Sequence, residues 1–283
     1  MSESDFIKYY GWSAIELRVR GKSIFFDPFY RPYCGAHWFD QEDFAHADVV
    51  CVTHGHEEHF LDVPQVVRST GAHVVATPAV CRFLERRSKI PAAQLRPTEW
   101  GAHVRVGEVE IGLFPWKHRD INLFKAMSKA VFRGNTTQLS WAWSSATNAP
   151  FYAGYTGFHL TLPDGTTVLN YNEGFNSKTT EGDLQQLHRV HPRVDVLLAG
   201  MQLNFIDDVV RGVKALGPKL VFLFPPHEKF HEMMEVASAP WQDFANAVRR
   251  ACPQVQVVVA QPGTVMQMSD FSTHHEAPRR MAA

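Results

Sequence analysis

The sequence predicts a layered α/β domain. Three observations carry that expectation: strand-like runs alternate with helix-like runs, Pro and Gly punctuate them at element ends, and no repeat, linker or shift in composition divides the 283 residues. That length suits a single α/β domain, and 45% apolar residues with 20 Phe supply a sizeable core.

Taken in order, Ala14 to Arg20 alternates apolar and polar residues, Gly21-Lys22 reads as a two-residue turn, and Ser23 to Phe26 resumes as a strand. A β-hairpin is therefore expected to open the chain. Asp27-Pro28 ends it. Val49 to Val52 is β-branched and reads as a buried strand, after which Gly55 permits a sharp turn. Asp62, Pro64 and Gln65 start a helix with a capping box that runs to about Ser69 and stops at Gly71. His73 to Ala76 is a strand, and Thr77-Pro78 begins a helix through Arg87. Val109 to Phe114 is a strand leading into Pro115-Trp116-Lys117-His118.

Further on, Gly157 to Leu162 and Thr167 to Tyr171 read as strands joined by a turn at Pro163-Asp164-Gly165. Glu181 to His191 is a helix, Val194 to Ala199 a strand, Asp207 to Leu216 a helix closed by Gly217-Pro218, and Leu220 to Phe224 a strand. Trp241 to Cys252 is a helix and Val255 to Val259 a strand. Residues 1–270 are expected to form one domain and 271–283 a disordered tail.

The chemistry concentrates after the strand at Val49. His54, His56 and His59 fall within six residues, with Glu58 among them. A helix would scatter residues two apart, whereas a strand followed by a turn gathers them around one point. Imidazole and carboxylate are ligand types for Zn, Mn or Fe.

His54-x-His56-x-Glu58-His59 after a strand resembles the His-x-His-x-Asp-His signature of the metallo-β-lactamase superfamily, with Glu in the Asp position. The resemblance implies an αββα sandwich, two facing mixed sheets with external helices and metals at one edge. It implies later ligands at strand ends, where His118, Glu173 and His227 stand. Glu173, in Asn172-Glu173-Gly174, departs from the family's Gly-Asp-Thr. It also implies that His54, His56 and His118 hold one ion, Glu58, His59 and His227 a second, and Glu173 bridges them. Asp27 would be hydrogen-bonded behind the ligands; the alternative is a turn-initiating Asp before Pro. The implied cofactors are two divalent ions, zinc before manganese or iron. The implied activity is hydrolysis of an anionic ester, a phosphodiester or lactone, by a metal-bridging hydroxide. The Asp-Pro opening, Trp-rich stretch and Pro-Pro-His ending look most like the branch of ascorbate-phosphate lactonases and N-acylphosphatidylethanolamine phospholipases. Alternatives on the same residues are a di-iron oxidoreductase or oxygenase and a non-catalytic metal-binding protein.

His227-Glu228-Lys229-Phe230-His231 also matches the H-E-x-x-H zinc-peptidase pattern. Two prolines before His227 place it at a helix start at best, whereas that motif needs both histidines inside one helix. His231 is kept as a proton-donor candidate. Residues 119–150 read as an insert. Ile121, Phe124 and Val131 line one helical face, with Lys125, Lys129 and Arg133 beside them, and Trp141 and Trp143 follow. Either this face packs on the core with a solvated basic edge, or it is a lid in which Lys117, Lys125, Lys129, Trp141 and Trp143 meet an anionic substrate with an apolar part or a membrane surface.

A net charge of −1 makes no case for nucleic acid as partner. Four scattered cysteines, no apolar run near membrane-spanning length and an acidic start point to the cytoplasm.

Overall fold

The structure, a computed structural model, describes residues 5–119, 143 and 147–278. The first sheet takes β1 (Phe6–Gly11), β2 (Ala14–Val19), β3 (Lys22–Phe26), β4 (Val49–Cys51), β5 (His73–Ala76) and β6 (Leu95–Pro97). Between these lie α1 (Glu57–Phe60), α2 (Val63–Thr70) and α3 (Pro78–Arg86). The second sheet takes β7 (His103–Val106), β8 (Val109–Pro115), β9 (Thr156–Thr161), β10 (Thr167–Asn170), β11 (Val196–Gly200), β12 (Leu220–Phe224) and β13 (Gln256–Val259). Its helices are α4 (Glu181–Val190), α5 (Ile206–Leu216), α6 (Glu228–Met234) and α7 (Trp241–Ala251). Finally β14 (Thr264–Gln267) and β15 (Thr273–His275) return to the first sheet.

The strand orders are β15-β14-β1-β2-β3-β4-β5-β6 and β13-β12-β11-β10-β9-β8-β7. Both sheets are mixed. β3 to β6 run parallel, as do β10 to β13, while the hairpins at the other ends are antiparallel. One apolar cluster lies between the sheets, uniting Phe26 and Cys51 of one with Phe158, Leu198 and Phe222 of the other. A second packs α2 and α3 on the first sheet, and a third packs α4, α5 and α7 on the second. This is the expected αββα sandwich.

The opening hairpin turns at Arg20 and Gly21, both with positive φ, so that Val19 pairs with Lys22. A strand the sequence reading left out, β1, precedes it, and the chain does not end in a disordered tail at 271. β15 pairs with β14, and Lys8 holds Glu276 at 2.5 Å. Asp62 does not cap α2 with its side chain. Its carboxylate instead accepts from the backbone N–H groups of Tyr30 and Arg31 and from the Arg31 guanidinium. Among the described residues no helix is long and apolar enough to cross a membrane, and the four cysteines are free.

Candidate metal centre

The chemistry-bearing residues gather where strands of the two sheets end side by side. Asp27 follows β3, the histidine loop follows β4, His118 follows β8, Glu173 follows β10, and His227 follows β12. Parallel strands deliver their C-terminal ends to one edge, which is why ligand sites of α/β folds lie there. The Thr156 N–H donates to the Thr53 carbonyl at 2.8 Å, joining the edges of the two sheets behind the loop.

Candidate donor atoms fall in two groups, each within 4.8 Å: His54, His56, His118 and Glu173, and Glu58, His59 and His227. Glu173 stands between them. Its Oε1 lies 3.1 Å from His118 Nε2 and 3.3 Å from His54 Nε2, and its Oε2 lies 3.3 Å from His227 Nε2.

The surrounding hydrogen bonds decide which atoms carry lone pairs. Thr53 donates its N–H (2.8 Å) and its hydroxyl to Asp27, and His59 Nδ1 donates to the same carboxylate at 2.7 Å. Thr53 Oγ1 is thereby left to accept, from Asn172 Nδ2 at 2.8 Å and His54 Nδ1 at 3.0 Å. His118 Nδ1 donates to the Arg119 carbonyl at 2.6 Å. The Nε2 atoms of His54 and His59 are therefore acceptors turned inward, while His118 Nε2 meets Glu173 Oε1 at 3.1 Å. Burial lowers His118, but Glu173 outweighs it and raises the ring above the ordinary imidazole value. His54 Nε2 lies 3.0 Å from His56 Nδ1 and accepts from it when His56 carries its proton there. Among the described residues, His59 Nε2, Glu58 Oε2 and His227 Nδ1 are buried with no hydrogen-bond partner. Such burial is costly, and a divalent cation is what this donor set fits.

Electrostatics agree. Burial pushes His54 and His56 well below the ordinary imidazole value and His59 to about 4, so these rings are neutral and available as ligands. For Glu173 burial raises the carboxyl, but His118 and His227 outweigh it and hold it well below the usual range. Burial likewise raises Asp27, against the opposing pull of Thr53.

Local backbone makes the packing of these loops feasible. Asp27 and Asn172 both sit at positive φ, a conformation Asp and Asn tolerate better than most residues. A Cβ on Gly200, at the end of β11, would overlap the backbone of Glu173, and one on Gly55 would overlap Pro150.

Other expectations need correction. Lys117 is exposed and paired with Asp183 at 2.7 Å, at the N-terminus of α4, so its charge is spent away from the centre. His231 is not a free proton donor. Burial, aided by His227 and Arg119, lowers it to about 3, while its Nε2 accepts from Arg119 at 3.3 Å and its Nδ1 meets Ser238 at 2.9 Å. His227 caps α6 and His231 lies within it, with ring centroids 6.0 Å apart, so the peptidase pattern does not form one ligand set. Trp143 is exposed, while Lys125, Lys129 and Trp141 fall outside the described residues. The sequence reading missed Thr53, Gln202, Tyr155 and Arg119. Gln202 Nε2 donates to the Glu173 carbonyl at 3.0 Å, and Tyr155 stacks on His118 with centroids 4.7 Å apart. Only Thr53 and Arg119, each adjacent to a ligand candidate, carried a signal in their position.

A family model described as a β-lactamase superfamily domain matches residues 23–164, half of the chain. The chain belongs to this superfamily. A relative named metal-dependent hydrolase from Pyrococcus furiosus is 23% identical over 252 residues, covering 87% of this chain and 92% of that one. Another so named, from Methylocella silvestris, is 31% identical over 103 residues, 36% of this chain and 43% of its own. The chain thus spans less than half the length of several relatives it matches. Among solved structures, a metallo hydrolase from the archaeon Ignicoccus hospitalis superposes with a TM-score of 0.68 at 19% identity, covering 96% of this chain and 99% of that chain. A diiron β-hydroxylase from Streptomyces venezuelae gives 0.61 at 15% identity, covering 98% of this chain and 55% of that chain. Both share the superfamily's fold with this chain.

Proposed function

We propose that this protein is a hydrolase dependent on two divalent metal ions and acts on an anionic ester, a phosphodiester or a lactone. The observation that carries the reading is Glu173, which reaches both groups: its Oε1 faces His118 and His54 and lies 3.5 Å from His59 Nε2, and its Oε2 faces His227. His54, His56 and His118 would hold one ion, and Glu58, His59 and His227 the other, with Glu173 shared. Two ions so held lower the pKa of a bound water and polarise the oxygen of the bond under attack.

The chain's own contribution is positional. Asp27 fixes the His59 ring by accepting a hydrogen bond from its Nδ1–H, Thr53 Oγ1 does the same for His54, and the Arg119 carbonyl for His118. Gln202 restrains Glu173. With His54, His56 and His59 neutral and the outer nitrogens of His54, His59 and His118 engaged, little rearrangement is needed on metal loading.

The test is a screen of phosphodiesters, lactones and carboxylic esters with zinc- and manganese-loaded protein, repeated with His56→Ala and His227→Ala. Turnover that falls about a hundredfold or more in both variants is expected; full activity in either overturns the mechanism. Two carboxylates among seven candidate ligands also suit iron, which favours a di-iron oxygenase as the second reading. Oxygen consumption by the iron-loaded protein, with no hydrolysis by the zinc form, would select it.

A further inference from the structure

We propose that Arg119 receives the anionic group of the substrate beside the metal centre, with His231 and Ser238 as the residues that position it. The proposal rests on the hydrolase reading and names one end of its substrate, a phosphate or carboxylate. Arg119 follows His118 directly, and its Nε is buried with no hydrogen-bond partner. One terminal nitrogen donates to His231 Nε2 at 3.3 Å, and His231 Nδ1 in turn donates to Ser238 Oγ at 2.9 Å. The chain Ser238–His231–Arg119 therefore fixes one arm of the guanidinium and leaves Nε–H without an acceptor.

Arg119 is half-buried, and its buried Nε–H is costly to leave without an acceptor. Glu173 and Glu58 are the carboxylates that favour its charge, yet both belong to the candidate ligand groups. Glu173 and Glu58 would be engaged by two divalent ions, and among the described residues no other carboxylate is found to favour the guanidinium. The planar fork of arginine matches carboxylate and phosphate oxygens in pairs, so an oxyanion from the substrate fills that role.

A cavity of about 500 Å³ is lined by His231 and Ser238 and by Gln202, which bonds Glu173, but not by Arg119. Met201, Val236 and Trp241 give it apolar surface, and Glu228 and Glu232 lie on its wall. Carboxylates there disfavour a second anion. The anionic end of the substrate is therefore placed at Arg119 and not in this cavity.

The experiment is calorimetric titration of the metal-loaded protein with inorganic phosphate and, separately, acetate, using wild type, Arg119→Met, Arg119→Lys, His231→Leu and His231→Gln, with metal content and thermal unfolding measured for each. Loss of a charge-assisted pair predicts affinity about tenfold or more lower in Arg119→Met. Arg119→Lys, which keeps charge without the fork, falls between. His231→Leu weakens binding several-fold, and His231→Gln, whose amide oxygen can still accept from Arg119, restores it. Which probe binds tighter separates phosphate from carboxylate substrates. Unchanged affinity in Arg119→Met, no binding of either probe by wild type, or loss of metal in Arg119→Met would overturn the proposal. The last outcome would make Arg119 a support for the ligands. Failure of the hydrolase reading shows separately, as metal-loaded wild type that binds the probes through Arg119 yet hydrolyses nothing.

Discussion

Asp27 and His59, thirty-two positions apart, meet at 2.7 Å between Oδ2 and Nδ1, and both side chains are fully buried. This contact joins the end of β3 to the helix that begins in the histidine loop, and it sets which nitrogen of His59 faces the centre. Asp27→Asn presents an amide where Thr53 and His59 need acceptors. Metal affinity measured by competition with a chelator is expected to fall about 10–100-fold. Unchanged affinity would mean that Asp27 only shapes its turn.

Gly200 lies against the backbone of Glu173 with no room for a side chain. In Gly200→Ala the Glu173 loop must shift, with a loss of about 1–3 kcal/mol in chemical denaturation and weaker metal binding. A variant equal to wild type in both would show that the loop gives way at no cost.

His227 and His231 are separated by a single helical turn but face different partners. His227→Ala is expected to lose metal, and His231→Leu to keep it. Loss of metal in both would restore the peptidase-like pairing that the structure argues against.

Two groups away from the centre give acid sensitivity in distinct windows. Burial, with His159 and His103 adding to it, lowers His191 to about 4. The unfolded chain then binds the proton more readily, so stability present above about pH 6.5 is lost as pH falls toward 4. Burial raises Asp195, but hydrogen bonds from Lys219, Thr167 and Arg193 outweigh it and bring the carboxyl to about 2. Its contribution is present above about pH 4 and is lost between there and about pH 2. Because Lys219 and Arg193 are largely exposed, that contribution is about 1–2 kcal/mol. Urea midpoints measured against pH should flatten in the upper window for His191→Gln and in the lower for Asp195→Asn. Slopes identical to wild type would contradict the assignment.

Much of the fold was legible because its signals are local. Gly71 and Gly217 end α2 and α5 at positive φ as expected, and Leu220–Phe224 forms the strand its apolar run predicts. β1, β14 and β15 were not anticipated: β1 and β14 pair with each other across more than two hundred positions, and β15 pairs only with β14. The ligand candidates were legible for a different reason: histidines and carboxylates at strand ends announce themselves by type. Thr53, Gln202 and Tyr155 are ordinary residues whose importance comes from what tertiary packing places beside them. Lys117 shows the converse, a cation beside a ligand candidate in sequence that the fold turns toward Asp183.

The central claim is that one carboxylate, Glu173, is shared by two ions. Elemental analysis of purified wild type and Glu173→Ala, each saturated with zinc, manganese or iron and freed of excess metal, tests it directly. Two equivalents per chain are expected in wild type for at least one metal and one or fewer in the variant. One equivalent or none in wild type, or two retained without Glu173, would contradict it.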